Sequence, residues 1–210
     1  MLIGIPIAVV LAYLLGSIPV SYLIVRAVGR QDLRAIGSGN IGATNVYRAL
    51  GLGWAVLAFG GDALKGAVPS WLAWGCFPIA EKAPSMFWAG WLISLSPVLG
   101  HLFPPWFKFR GGKGVATSFG VMVVLAPKAT LLALALWMVL ALALKIASLA
   151  SLAAALALPV LVYVLEAEPA KSWLALALGA LIFLSHHENI RRLLRGEEKA
   201  ISRSEPDEKL

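Results

Sequence analysis

The chain has 210 residues, 60% of them hydrophobic and 14% charged, with 8 Trp. This composition excludes a soluble globular domain and describes an integral membrane protein just long enough for one compact helical bundle. The net charge of +7 lies at the ends of apolar segments, which points to anionic lipid headgroups rather than nucleic acid. A single Cys, Cys76, excludes an intramolecular disulfide and argues against a metal held by cysteines.

The first apolar segment, 2–25, is long enough to span a bilayer. It lacks a basic n-region and a small-residue cleavage site, so it reads as a span rather than a signal peptide. Next comes GSGNIGATNVYRALG, Gly37–Gly51. Backbone this irregular cannot face lipid, because every N–H and C=O in hydrocarbon must find a partner. Gly37, Gly39 and Gly42 let the backbone approach a ligand closely, and successive amides in such a loop make a nest for anions. Ser38, Asn40, Thr44 and Asn45 add polar groups, and Arg48 offers a bidentate contact to phosphate. A flexible turn with an anchoring Arg is the plainer reading; the density of hydrogen-bonding side chains favours a site.

The second apolar segment, 52–75, carries Asp62 and Lys65 where ionisable groups are costly. Their i, i+3 spacing puts them on one helix face, which favours a mutual pair over a catalytic role. The third, 86–106, holds His101, which suits a structural or a catalytic role equally. It leads into GHLFPPWFKFRGGKGVAT, Gly100–Thr117. There Gly111, Gly112, Lys113 and Gly114 immediately precede an apolar helix, a phosphate site built from backbone donors, helix dipole and point charge. It is not a Walker A loop, whose GxxxxGK[ST] spacing is missing. Lys108, Arg110 and Lys113 also fit simple anchoring at the inner face.

The apolar stretch 115–146 would be about 48 Å as one helix, too long for a core of about 30 Å, and Pro127–Lys128 interrupts it. One kinked span gives six crossings; a break at Pro127 gives seven. Segments 147–165 and 171–187 complete the set. Seven spans with the N-terminus outside gather Arg26, Arg30, Arg34, Arg48, Lys108, Arg110, Lys113, Lys145, Arg191, Arg192, Arg195, Lys199, Arg203 and Lys209 inside. Only Lys82, Lys128 and Lys171 remain outside, beside Glu81, Glu166 and Glu168. The positive-inside rule thus selects seven. The expected fold is an all-α polytopic bundle with the C-terminus and all three polar motifs cytoplasmic. Residues 1–196 form one catalytic bundle and 197–210 a charged tail, disordered or loosely held.

Ser148 and Ser151 follow Lys145 at another inner turn and add hydroxyl donors. The last motif, HHENIRRLLRGEE, His186–Glu198, offers His186, His187 and Asn189, with His the natural general base near neutral pH. Its NIRRLLRG half reads as an amphipathic interfacial helix. There is no HExxH, no GxSxG and no His followed five residues later by Asp. Clustered carboxylates for metal-dependent transfer of phospho-alcohols are lacking too.

Together these three motifs, with LLGSIP (Leu14–Pro19), DALKG (Asp62–Gly66) and SLAS (Ser148–Ser151), resemble the bacterial acyl-phosphate:glycerol-3-phosphate acyltransferases, the PlsY family, over nearly the whole chain. The resemblance implies a multi-pass enzyme of the bacterial inner membrane. It would acylate position 1 of glycerol 3-phosphate from acyl phosphate, giving lysophosphatidic acid, as a monomer without cofactor or metal. It also implies an essential Ser38 and Arg48, glycerol 3-phosphate binding at Gly111–Gly114, and a His186 and Asn189 pair. A structural Glu is expected at Glu197, and His187 stands where the family commonly has Arg. Acyl phosphate carries a good leaving group, so no acyl-enzyme is required. Holding two phosphates together is proximity catalysis, with cationic and N–H donors stabilising the developing charge. Lys113, Arg48 and the glycine amides are then the phosphate clamps and Ser38 and Asn45 orienting donors. Gly39, Asn40, Thr44 and Ser148 line the site, and Asn189 fixes His186. The rival reading is a small transporter or channel for an anionic phosphate metabolite; it lacks a matching polar set at mid-membrane.

Overall fold

The computed structural model describes residues 4–76 and 87–201. The expectations resting on Glu81, Lys82, Arg203 and Lys209 lie outside the described residues. Ten α-helices and no strands occur among those residues: α1 Gly4–Ser17, α2 Val20–Ile24, α3 Ala43–Leu50, α4 Leu52–Trp71, α5 Phe87–Leu102, α6 Val115–Leu125, α7 Pro127–Leu144, α8 Ala147–Glu166, α9 Pro169–Ser185 and α10 His187–Leu194. Gly4–Gly29, α7 and α8 are each long and apolar enough to cross a membrane; α9 and α10 together make a further candidate, bent by 63°. Leu142, Leu156 and Val164 are 79%, 69% and 67% exposed. A helix surface so apolar and so open is one made for lipid.

The long stretch 115–146 is two helices. Ala126 leaves helical geometry, with φ −146° and ψ 69°, and Pro127 opens α7, where its missing N–H costs nothing. Glu166, at the far end of α8, accepts hydrogen bonds from the amides of Lys128 and Ala129 at 3.0 and 3.4 Å. A carboxylate at a helix N-terminus is favoured by the dipole. Short links at Lys145–Ile146 and Ala167–Glu168 set α7, α8 and α9 antiparallel to their neighbours.

Glycines let the other helices touch backbone to backbone. A Cβ on Gly66 of α4 would lie 2.1 Å from the Thr117 carbonyl oxygen, and one on Gly120 of α6 would lie 1.8 Å from that of Ala63. Gly16 and Gly100 do the same for α1 and α5, against Pro97 and Tyr13. Lipid tails are as apolar as Leu, so helix association in a bilayer rests on such close packing rather than on the hydrophobic effect. Val98, Leu102, Val121, Met122, Leu125, Val162, Leu174 and Leu178 fill the space where α5, α6, α8 and α9 meet. The end of this bundle at which α5, α7 and α9 finish and α6 and α8 begin carries the polar motifs.

Candidate active site

The 37–51 loop is shaped from within. Gly37 and Gly39 take positive φ, 52° and 72°, and a Cβ at Gly37 would meet Asn45 Oδ1 at 2.6 Å and Arg48 Cδ at 2.8 Å. Asn45 is buried. Its Nδ2 donates to the carbonyls of Leu33 and Ile36, both at 2.9 Å, and its Oδ1 accepts from the Ser38 amide at 3.3 Å. These bonds tie the loop to the 3-10 turn Leu33–Ala35. Ser38 is exposed and Asn40 and Thr44 are half-buried; the Asn40 amide faces Ser38 Oγ at 3.5 Å. Arg48 projects from α3 into the bundle, 8% exposed. Its Nη1 reaches Ser38 Oγ at 3.5 Å and its Nη2 donates to the Ala200 carbonyl at 3.1 Å. Burial lowers its pKa, opposed by the nearby Glu198 carboxylate.

The glycine loop hangs on the end of α5. The Gly111 amide donates to Leu102 O at 2.9 Å and the Gly112 amide to His101 O at 3.0 Å. Gly114, with φ 78°, turns the chain into α6. Lys113 between them donates through Nζ to Asn189 Oδ1 of α10, and its carbonyl accepts from Ser185 Oγ at 3.0 Å. Burial pushes the Lys113 ammonium down to about 8; Glu198 opposes the shift, while Arg192 and Arg48 add to it.

His186 follows the last residue of α9 and is 2% exposed. Its Nδ1 lies 2.8 Å from the Ile182 carbonyl. A carbonyl only accepts, so the proton sits on Nδ1 and Nε2 keeps its lone pair. Burial, and then the charge of Lys113, lower the imidazole to about 4, so it is neutral near pH 7. Asn189 does not fix His186, as the sequence led us to expect; its contacts are Lys113 and Glu198. The backbone of α9 orients His186 instead.

The sequence also misplaces the acidic residue. Glu197 is exposed, whereas the Glu198 side chain is 8% exposed. Glu198 Oε1 accepts from Ser148 Oγ at 2.8 Å and Asn189 Nδ2 at 2.5 Å, and Oε2 from Arg192 Nε at 2.7 Å. Burial acts to raise its pKa, and these three donors override it and hold the carboxyl below its usual range. Nor is the chain loosely held directly after Gly196. The Lys199 ammonium donates to Gly37 O at 2.6 Å and the Ile201 amide to Lys145 O at 2.7 Å. Residues 197–201 thus form a strap that joins α10 to the 37–51 loop and to the start of α8 with the turn before it. A charged composition reads as a disordered or loosely held tail; nothing in it shows that Arg48, Ser148 and Asn189 await it.

Ser38, Arg48, Lys113, His186 and Asn189 therefore share one end of the bundle, around a partly buried cationic cluster that one carboxylate incompletely offsets. Such a cluster can hold phosphate groups. Among the described residues no group of His, Cys, Asp and Glu is placed to hold a metal ion.

The family model described as glycerol-3-phosphate acyltransferase matches residues 6–196. The chain is 43% identical over 187 residues to the glycerol-3-phosphate acyltransferase of Syntrophotalea carbinolica, covering 89% of this chain and 92% of that one. It is 42% identical to that of Aquifex aeolicus, covering 90% and 95%. The crystal structure of PlsY (YgiH), an integral membrane glycerol 3-phosphate acyltransferase, in its glycerol 3-phosphate form superposes with a TM-score of 0.85 at 40% identity, covering 94% of this chain and 95% of that one. The chain belongs to the glycerol-3-phosphate acyltransferase (PlsY) family.

Proposed function

We propose that this protein transfers a fatty acyl group from acyl phosphate to the 1-hydroxyl of glycerol 3-phosphate, releasing lysophosphatidic acid and inorganic phosphate. The observation that carries the reading is the meeting of Arg48, Lys113 and neutral His186 around the glycine loop at one end of the bundle. Arg48 and Lys113 clamp the two phosphates, and the Gly111 and Gly112 amides, bonded to the carbonyls of Leu102 and His101, fix the loop that presents Lys113. Ser38 orients the acceptor. Asn45 is committed to the loop backbone and acts by shaping it, and Ser148 acts through Glu198 rather than on substrate.

The hydroxyl oxygen attacks the acyl carbonyl carbon, and the bond from that carbon to the phosphate oxygen then breaks. His186 Nε2 accepts the hydrogen bond of the attacking hydroxyl and aims its lone pair. An imidazole held at about 4 is too weak a base to keep the proton. The proton passes to a phosphate oxygen, whose second pKa is about 6. Cationic clamps stabilise charge where it develops, and bringing the two substrates together supplies much of the remaining barrier reduction.

The site faces the cytoplasm of a bacterial inner membrane in a monomer of seven spans. The separation of α6 from α7 at Ala126 supports that count. Purified protein in detergent, given acyl phosphate and labelled glycerol 3-phosphate, should form lysophosphatidic acid and should not do so from acyl-CoA. Product from acyl-CoA at an equal rate would overturn the donor assignment. Absence of product, with glycerol 3-phosphate flux into sealed vesicles, would make the protein a transporter.

A further inference from the structure

Asp62, Lys65 and His101 are 1%, 4% and 6% exposed and have no part in the chemistry above. Lys65 Nζ lies 2.8 Å from Asp62 Oδ1, an ion pair rather than an aligned hydrogen bond. It donates to the Ile18 carbonyl at 2.8 Å and sits 3.0 Å from His101 Nδ1. Ser21 Oγ donates to Asp62 Oδ2 at 2.8 Å. An ammonium only donates, so His101 Nδ1 is an acceptor and the ring proton is on Nε2. The alternative, Nδ1–H donating to Asp62, would need a reach of 3.7 Å, beyond a hydrogen bond.

The other edge of this ring faces the glycine loop. A Cβ on Gly112 would lie 2.1 Å from His101 Nε2, 2.9 Å from Cε1 and 3.0 Å from Cδ2. The imidazole therefore occupies the space a side chain at position 112 would need. The Gly112 amide is bonded to the carbonyl of the same His101, so ring and backbone of one residue fix the loop from two sides. Gly111 differs: a Cβ there would meet the His101 carbonyl at 2.0 Å and Pro104 Cδ at 2.5 Å, contacts no change of ring relieves.

We propose that Asp62, Lys65 and His101 form a buried positioning relay that locks the His101 ring against Gly112 and so sets the glycine loop for the phosphate of glycerol 3-phosphate. Lys65 holds the ring by its Nδ1, Asp62 holds Lys65, and Ser21 and the Ile18 carbonyl anchor both to the first span. The proposal rests on the reading of Gly111–Gly114 as that phosphate's site.

A double-mutant cycle tests it. Gly112→Ala should raise the KM for glycerol 3-phosphate about tenfold, with the KM for acyl phosphate changed less than about threefold. His101→Ala should raise it about fivefold. With both changes the KM should be no worse than with His101→Ala alone, because the clash is gone. Gly111→Ala should not be relieved by His101→Ala. The paired change Asp62→Asn with Lys65→Met keeps the buried site neutral. It should raise the same KM about fivefold and remove the preference for the Nε2–H tautomer in the nitrogen NMR of His101. Multiplying effects of Gly112→Ala and His101→Ala, or an unchanged tautomer in the paired variant, would overturn the relay. If His101→Ala does not accumulate folded, the tautomer and KM of the paired variant decide alone. If Gly112→Ala leaves the glycerol 3-phosphate KM unmoved, the loop is not the phosphate site, and the earlier reading fails instead.

Discussion

Arg48 donates a hydrogen bond to the carbonyl of Ala200, 152 residues further along the chain, at 3.1 Å. One side chain thus links the first polar motif to the strap that follows the last. The guanidinium keeps Nη1 directed at Ser38, so a peptide carbonyl holds the cation without neutralising it. Glu198, two residues earlier, holds the other end of the strap.

That arrangement makes Glu198 the residue on which the closed site depends. Glu198→Ala removes the acceptor of Ser148, Asn189 and Arg192. With hydrogen bonds to charged groups worth about 1.5–3 kcal/mol each, kcat/KM should fall about 10²-fold. Glu198→Gln keeps one oxygen acceptor and should lose about tenfold. The folded-state pKa lies below the ordinary 4.5. The carboxylate's contribution to stability is therefore fully present above about 4.5 and is lost as pH falls through the folded value. Thermal unfolding in detergent between pH 3 and 6 reads this directly; an acid transition unchanged in Glu198→Gln refutes it.

With Lys113 as the proposed phosphate clamp, the glycerol 3-phosphate KM should show an alkaline limb. Its ammonium is held at about 8, so the charge proposed to clamp phosphate is present at pH 7 and disappears as pH rises past 8. KM should climb about tenfold per pH unit above that point, with kcat less affected, because free-enzyme pKa values govern binding. Lys113→Arg replaces the group with one that stays charged, and its limb should vanish. A limb of the same position in Lys113→Arg would assign it to another group.

His186 is neutral throughout the working range, since burial holds it at about 4. His186→Gln supplies an amide oxygen that can accept the hydroxyl's hydrogen bond. We expect kcat within about tenfold of the parent and no change in the pH–rate profile between 5.5 and 7.5. His186→Ala should lose about 10²-fold. A loss near 10⁴ in a folded His186→Gln that still binds glycerol 3-phosphate normally would restore His186 as the general base.

Topology is open to a direct test. A reporter fused after Leu210 should read cytoplasmic and one inserted beside Lys171 external. If both report the same side, the seven-span arrangement falls.

Much of this protein is written locally in its chain. The membrane class follows from composition, and the helix break at 126–127 follows from a Pro that cannot continue a hydrogen-bond ladder. The reading of 37–51 and 111–114 as anion sites follows from glycines beside cations, and the Asp62–Lys65 pair from i, i+3 spacing. These are short-range consequences of backbone sterics and solvation, so neighbouring residues suffice to show them. What tertiary structure decides are the pairings across more than a few residues. Asn45 resembles a substrate donor in the sequence and becomes a loop brace because Leu33 and Ile36 leave carbonyls within its reach. Of two adjacent acids, Glu198 rather than Glu197 enters the site, because the turn after α10 aims only one towards Arg192. His101 acquires its tautomer from Lys65, 36 positions away. In each case a buried polar atom must find its partner, and only the folded packing determines which partner lies within hydrogen-bonding distance.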